Sequence, residues 1–173
     1  LQNRGERFAF SFSCLNEGHF PDHHRDGFSF QFWRRQPIGK RLVLGAGIGP
    51  YFYFDTNERT AARMMKNEHG IGGILSLSGK WRFRPPFFMN MRTNWVYTEG
   101  NIDTLSVLLG FGVELQRGEE SGFPERSTDH GLTVFLGRTV MNNSDSNGAG
   151  SWGIEYRNVL WRNLELSFLY LDE

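Results

Sequence analysis

The feature that most constrains this chain is an alternation of apolar and polar residues with a period of two, which recurs along most of the sequence. In residues 87–97 the odd positions are mostly aromatic residues or methionine, while the even positions include Asn90, Arg92 and Asn94. Residues 105–115 repeat the pattern. Successive side chains of a β-strand point to opposite faces, so the alternation predicts strands with one apolar and one polar face.

Nine segments have this character, and two kinds of connection alternate between them. The predicted strands cover about 7–16, 28–36, 41–54, 70–83, 87–97, 103–115, 131–141, 151–158 and 163–172. Short connections at 37–40, 84–86 and 159–162 alternate with longer polar ones at 17–27, 55–69 and 142–150. The charged segment 116–130 is predicted to be an inter-strand linker within a single domain, 1–173. An up-and-down meander places short turns at one rim and longer loops at the other, as in outer-membrane barrels.

The last predicted strand resembles the first. Residues 7–17 and 163–173 align without gaps and share a serine, a phenylalanine, a leucine and a glutamate: Ser11/Ser167, Phe12/Phe168, Leu15/Leu171 and Glu17/Glu173. We therefore predict an all-β, antiparallel, up-and-down transmembrane barrel of eight strands, with a ninth segment that repeats the first. The similarity indicates either a barrel whose strand order is circularly permuted, or a segment cut from a parent protein that contains tandem or rearranged barrels. We expect 7–16 to close the ring by pairing with 151–158 or with 163–172.

The two faces of the predicted strands differ in a way that indicates which one points outward. The apolar face is nearly unbroken, whereas the other carries glycines, serines and mixed charges, which suits a narrow lumen. Aromatic residues near strand ends are read as interfacial girdles: Trp33, Tyr51, Tyr53, Trp81, Trp95, Tyr97, Trp152 and Tyr170. Arg138 shares the apolar face of its strand, which predicts a bulge or a side chain that reaches the interface. The alternative is a soluble, lipocalin-like barrel with its apolar face inside around a hydrophobic ligand.

Composition excludes several classes of protein. The 19 basic and 19 acidic residues give no net charge, which argues against a nucleic-acid partner. No stretch of about 18 apolar residues exists, so a membrane-spanning helix is excluded. The single cysteine, Cys14, cannot form an intrachain disulfide. If the protein is exported, we expect a signal peptide to have been removed.

The pattern resembles the small outer-membrane β-barrels of Gram-negative bacteria, a group that includes OmpA- and OmpX-like barrels and the lipid A-modifying barrels PagP and PagL. The resemblance implies an outer-membrane location, contact with outer-membrane lipid and lipopolysaccharide, and a structural or interaction role. It also implies an alternative function, acyl hydrolysis of lipid A on the same barrel. The family's usual final aromatic residue is missing, because the chain ends in Leu171, Asp172 and Glu173.

Charged residues on the polar face are predicted to meet inside the barrel. They are Lys80, Arg82, Arg92, Glu114, Glu155, Arg157 and Glu165. Opposite charges in a water-poor interior attract strongly and are costly to leave unpaired. We predict a salt-bridge network that fills the lumen and prevents conduction. A selectivity ring is the alternative, but it needs an open pore that eight strands seldom leave.

The sequence also raises the hypotheses of metal binding and of catalysis. Segment 17–27 carries ligand types for Zn²⁺ or another divalent ion, namely His19, Asp22, His23, His24 and Asp26. No other cofactor is expected. A lipid A deacylase pairs His and Ser two positions apart on one strand, and no His-x-Ser occurs here. His69 or His130 could meet Ser76 or Ser78 in the lumen, but the sequence assigns no catalytic residue.

Overall fold

The computed structural model describes residues 8–20, 23–59, 64–99, 103–116, 129–142, 148–161 and 164–172. Nine β-strands account for nearly all of them: β1 (Phe8–Phe20), β2 (His23–Ile38), β3 (Leu42–Arg59), β4 (Met64–Arg84), β5 (Phe87–Tyr97), β6 (Asp103–Gln116), β7 (Asp129–Asn142), β8 (Gly148–Trp161) and β9 (Leu164–Asp172). Within the described residues there is no helix long and apolar enough to cross a membrane. The nine strands confirm the predicted all-β fold.

The strands form a closed barrel in which each strand pairs with its neighbour in sequence. The ring contains nine strands rather than the predicted eight, because β9 lies between β8 and β1. Every ladder is antiparallel except that between β1 and β9, which is parallel. An unpaired edge would leave backbone donors and acceptors without partners, so both similar strands are used and the odd count requires one parallel ladder.

The parallel ladder has the same register as the sequence repeat. Phe8 lies opposite Leu164, Phe12 opposite Phe168 and Asn16 opposite Asp172. The gapless alignment of 7–17 with 163–173 therefore describes neighbours in space, and like residues lie side by side across the ladder. Of the two partners predicted for 7–16, namely 151–158 and 163–172, the structure contains the second.

The two ends of the barrel carry different connections. The lower rim is defined here by the connections 39–41, 85–86, 117–128 and 162–163, and the upper rim by 21–22, 60–63, 98–102 and 143–147. Gly39 in the first of these turns has a φ of 65°, which glycine adopts without strain. Much of 17–27, 55–69 and 142–150, predicted as loops, is strand instead. Their polar composition did not indicate this, because an antiparallel ladder satisfies backbone groups whatever the side chains are. The predicted linker 116–130 lies mostly outside the described residues.

Apolar side chains lie on the outside of the barrel, as predicted. Leu44, Met91, Leu105, Leu109 and Phe168 are between 43 and 56 % exposed. The buried polar and charged residues alternate with such positions and point into the lumen. On β3 the outward apolar positions run from Leu44 to Phe54, ten residues further along. At ~3.3 Å per residue and a tilt of about 40°, this corresponds to a band about 25 Å tall.

Three of the eight predicted girdle residues lie inside the barrel instead. Trp33, Tyr51 and Tyr53 are at most 7 % exposed. They have odd residue numbers, whereas the outward residues of the same strands, such as Phe32 and Phe52, have even numbers. The two-residue alternation therefore turns them inward, whatever their distance from a strand end. The other five, Trp81, Trp95, Tyr97, Trp152 and Tyr170, are exposed on the outside.

Arg138 is exposed on the outer face of β7, and its strand has no bulge there. The ladders to β6 and β8 run past it without a register shift. Its Nε lies 2.8 Å from the place that a Cβ of Gly148 would occupy. Gly148 is the first residue of β8, at the upper rim, so the guanidinium extends towards that rim. The sequence predicted either a bulge or a side chain that reaches the interface, and the structure contains a side chain directed towards the upper rim.

Candidate functional site

The lumen holds the charged residues that the sequence singled out, and one group of them lies near the lower rim. Lys80 Nζ, Arg82 Nε and Arg157 Nη2 lie 2.6, 3.0 and 3.2 Å from the same oxygen, Oε1 of Glu114. The Lys80 ammonium also lies 3.9 Å from the ring centroid of Phe88. Strands β4, β6 and β8 contribute these charges from separate parts of the ring. Three cations gathered on one carboxylate tie these strands together across the lumen.

A second ion pair lies deeper and is almost dry. Arg92 Nη2 is 2.6 Å from Glu155 Oε1, and the two side chains are 4 and 6 % exposed. The Arg92 guanidinium also lies 5.1 Å from the ring of Trp33 and 5.5 Å from that of Phe135. This pair joins β5 to β8, which are not neighbours in the ring. A charge pair held between two rings in a low-dielectric interior is strongly coupled, and either partner alone would be costly.

Above this pair a chain of neutral hydrogen bonds crosses the lumen. Gln31 Nε2 donates to Ser76 Oγ at 2.8 Å, and Ser76 Oγ donates to Asn94 Oδ1 at 2.8 Å. Asn94 Nδ2 in turn donates to Ser106 Oγ at 3.3 Å. The chain links β2, β4, β5 and β6, and its members are buried. Buried polar groups connected in this way stabilise one arrangement of the interior.

The uppermost described layer centres on Arg25. Its guanidinium donates to Thr98 Oγ1 at 3.5 Å and to Thr104 Oγ1 at 3.4 Å, and the residue is 2 % exposed. The rings of Tyr51 and Tyr53 stack nearby along β3 with centroids 6.3 Å apart. Side chains therefore cross the lumen at four heights, from the lower rim to the upper.

Glycines make room for the large rings in this narrow space. A Cβ at Gly47 would overlap the indole of Trp33, and a Cβ at Gly112 would overlap the ring of Phe88. Each glycine lies on a strand next to the one that carries the ring. These two glycines are thus explained by packing inside the barrel.

Six of the seven predicted lumen charges make the contacts described above. The seventh, Glu165, lies in β9 opposite Ala9 and Val159, and its side chain is outside the described part of the structure. Arg25, Gln31 and Phe135 are lumen residues that were not predicted from the sequence. For Gln31 and Phe135 the alternation was a usable signal, because each lies between two outward apolar residues. Arg25 lies between His24 and Asp26, so the alternation gave no such signal there.

The predicted metal ligands are not brought together in the described residues. Asp22 and the side chains of His19, His23 and His24 lie outside the description, although the three histidines belong to the β1–β2 hairpin. Asp26 is exposed. The described residues contain no group of three or more metal-ligating side chains. Divalent metal binding by this hairpin stays a prediction.

The histidines considered for catalysis do not share an environment with Ser76. Ser76 is bonded to Gln31 and Asn94 inside the lumen. His130 hydrogen-bonds to the hydroxyl of Tyr156, whose ring it stacks on with centroids 5.9 Å apart, and Tyr156 is on the outside. His69 is exposed. The described residues therefore assemble no His–Ser dyad, and no catalytic residue is assigned.

Comparisons with protein-family models, with curated proteins and with solved structures found no match.

Proposed function

We propose that this chain is an integral outer-membrane β-barrel that does not conduct ions and that acts through a structural or interaction role. The observation that carries the proposal is the outer surface. Thirty-two large apolar side chains are exposed in the described residues. Soluble monomers rarely expose contiguous apolar patches larger than a few hundred Å². In water this apolar surface would be unfavourably hydrated, whereas in a bilayer it is in contact with hydrocarbon.

The dimensions of the apolar surface support the proposal. The band about 25 Å tall matches the outward apolar band of outer-membrane barrels. Trp81 lies near the lower end of its strand, and Trp95 and Tyr97 lie near the upper end of theirs, all with their rings exposed. Aromatic residues favour both membrane–water interfaces. Ring closure also pairs the strand edges, as a hydrocarbon environment requires.

The contents of the lumen support a barrier rather than a pore. Ion pairs, rings and hydrogen-bonded amides cross it at successive heights. A selectivity ring would need water and a continuous opening beside the charges. The Arg92–Glu155 pair is instead nearly excluded from solvent. Outer-membrane lipid and lipopolysaccharide are the proposed surroundings of the apolar band.

The described residues favour neither alternative. A soluble barrel that carries a hydrophobic ligand needs a continuous apolar lining, whereas the described interior mixes apolar residues such as Leu108 with Gln31, Asn94 and Arg92. A lipid A hydrolase needs a nucleophile and a base in hydrogen-bond reach, and Ser76 is bonded to amides.

Membrane fractionation tests the proposal. The full chain is refolded with phospholipid vesicles, and the vesicles are floated on a density gradient and washed with alkaline carbonate. We expect the protein to float, to resist the wash and to migrate faster on gels unless it is heated. Recovery of a folded, monomeric protein in the aqueous fraction would contradict membrane insertion and would favour a soluble barrel.

A further inference from the structure

A groove runs across the outer face of four neighbouring strands, β9, β1, β2 and β3. Its volume is about 380 Å³. Its walls are almost wholly apolar and include Phe10, Phe12, Phe30, Phe32, Leu166 and Phe168. A concave, apolar and aromatic surface of this size suits a flexible hydrocarbon chain.

The β2–β3 ladder is interrupted beside the groove. Pro50 has no backbone N–H to donate, and the β2–β3 ladder has no paired residues between Ser29–Tyr51 and Phe32–Ile48. On the other side of β1 lies the parallel ladder to β9, where the rings of Phe12 and Phe168 have centroids 6.4 Å apart. The depression therefore results from the local sequence and from the closure of the ring.

A cation stands at the lower end of the groove. Arg34 is on the same face as Phe32, two residues nearer the lower rim, and its guanidinium is 5.0 Å from the ring centroid of Phe8. Phe8 in turn stacks on the groove residue Phe32 with centroids 5.6 Å apart. Lys40 and Arg41 add positive charge in the turn that follows β2. An apolar groove with a cation at its end matches a ligand that joins an acyl chain to a phosphate.

We propose that this groove binds one phospholipid with an anionic headgroup, its acyl chain lying along Phe10, Phe12 and Phe32 and its phosphate on Arg34. The proposal rests on the proposed membrane location. Three of the four lower-rim connections, 39–41, 85–86 and 162–163, have two or three residues, and the fourth, 117–128, falls in the predicted linker. Short turns mark the periplasmic rim of outer-membrane barrels, and the leaflet on that side consists of phospholipid. The ligand is therefore a phospholipid rather than lipid A.

Native mass spectrometry tests the proposal on the full chain. The protein is inserted into vesicles of phosphatidylglycerol and phosphatidylethanolamine and released in a mild detergent. We expect one retained phosphatidylglycerol per barrel, with retention reduced about fivefold by Arg34→Ala and largely restored by Arg34→Lys. Ile48→Trp, which fills the groove, is expected to release the lipid too. The matched controls are Arg138→Ala, an outward arginine at the other rim, and Leu109→Trp, outside the groove.

Four results would overturn the proposal. Retention of no lipid by a wild-type protein that does insert would refute the groove site and leave the proposed function intact. Equal losses in Arg34→Ala and Arg138→Ala would show that charge in general, and not this site, holds the lipid. Displacement of phosphatidylglycerol by added lipid A at lower concentration would identify the other class of ligand. Failure of the wild type to insert would refute both proposals.

Discussion

Replacing Leu109 with arginine is the most direct test of which environment surrounds the barrel. Leu109 is 56 % exposed, and its ladder partners Met91 and Leu136 are exposed on the same outer face. It lies six residues from the upper end of β6 and seven from the lower end. At a rise along the axis of about 2.5 Å per residue, both ends are ~15 Å or more away. This position corresponds to the middle of the proposed membrane.

The expected cost follows from that depth. An arginine at the bilayer midplane of a barrel destabilises it by about 2–4 kcal/mol, a change of about 30- to 900-fold in the ratio of folded to unfolded protein. In water the same exposed substitution would change the unfolding free energy by no more than about 0.5 kcal/mol. The two environments thus predict results that one experiment separates.

The assay is reversible unfolding in urea after insertion into phospholipid vesicles, followed by tryptophan fluorescence. Leu115→Arg is the matched control, because Leu115 is equally exposed but adjoins the lower end of the same strand. Near the interface the cost of arginine falls to about 0–1 kcal/mol. Equal stabilities of Leu109→Arg and the wild type, or equal costs at the two positions, would refute the membrane assignment.

Three further predictions concern the lumen and the last strand. Glu155→Leu leaves the Arg92 guanidinium buried without its carboxylate and should lower the unfolding free energy by about 3–5 kcal/mol in urea titrations. Adding Arg92→Met should recover most of the lost free energy, and no recovery would mean that the broken ion pair is not the cause of the loss. Planar-bilayer recordings should show no stable openings in the wild type or in Glu114→Ala, and ion-selective openings that respond to that change would contradict a blocked lumen. Deletion of 163–173 should preserve β-sheet circular dichroism and heat-modifiable migration, since β1 can pair with β8 in the register that β9 now uses; loss of both would mean that all nine strands are required.

Much of the fold could be predicted because a strand that separates two environments has to alternate. The nine segments follow from that requirement. The outward direction of the apolar face was predicted from the glycines, serines and mixed charges on the other face. The number of strands in the ring could not be predicted. The sequence similarity between 7–17 and 163–173 is compatible with one segment taking the place of the other, and equally with both lying side by side in the ring. Only the register, with Phe12 opposite Phe168, distinguishes the two.

Errors at the level of side chains have a similar origin. Trp33 was assigned to a girdle from its residue type, although its odd position in β2 turns it towards Ser11, whose Oγ accepts a hydrogen bond from its indole at 2.8 Å. The charges of the lumen were predictable as a set, but their partners were not. Arg92 pairs with Glu155 three strands away, a contact that depends on how the ring closes and how its strands are staggered.

The odd number of strands places the start of the first strand and the end of the last at opposite rims, whereas in an eight-stranded ring both would lie at the same rim. The first strand begins at the lower rim and the ninth ends at the upper rim. If the barrel spans a bilayer, peptide tags placed before Phe8 and after Asp172 would be exposed to opposite compartments. Removing the ninth strand would move the carboxyl terminus to the side of the amino terminus. Labelling the two tags with a membrane-impermeant reagent would therefore show whether the number of membrane-spanning strands is odd or even.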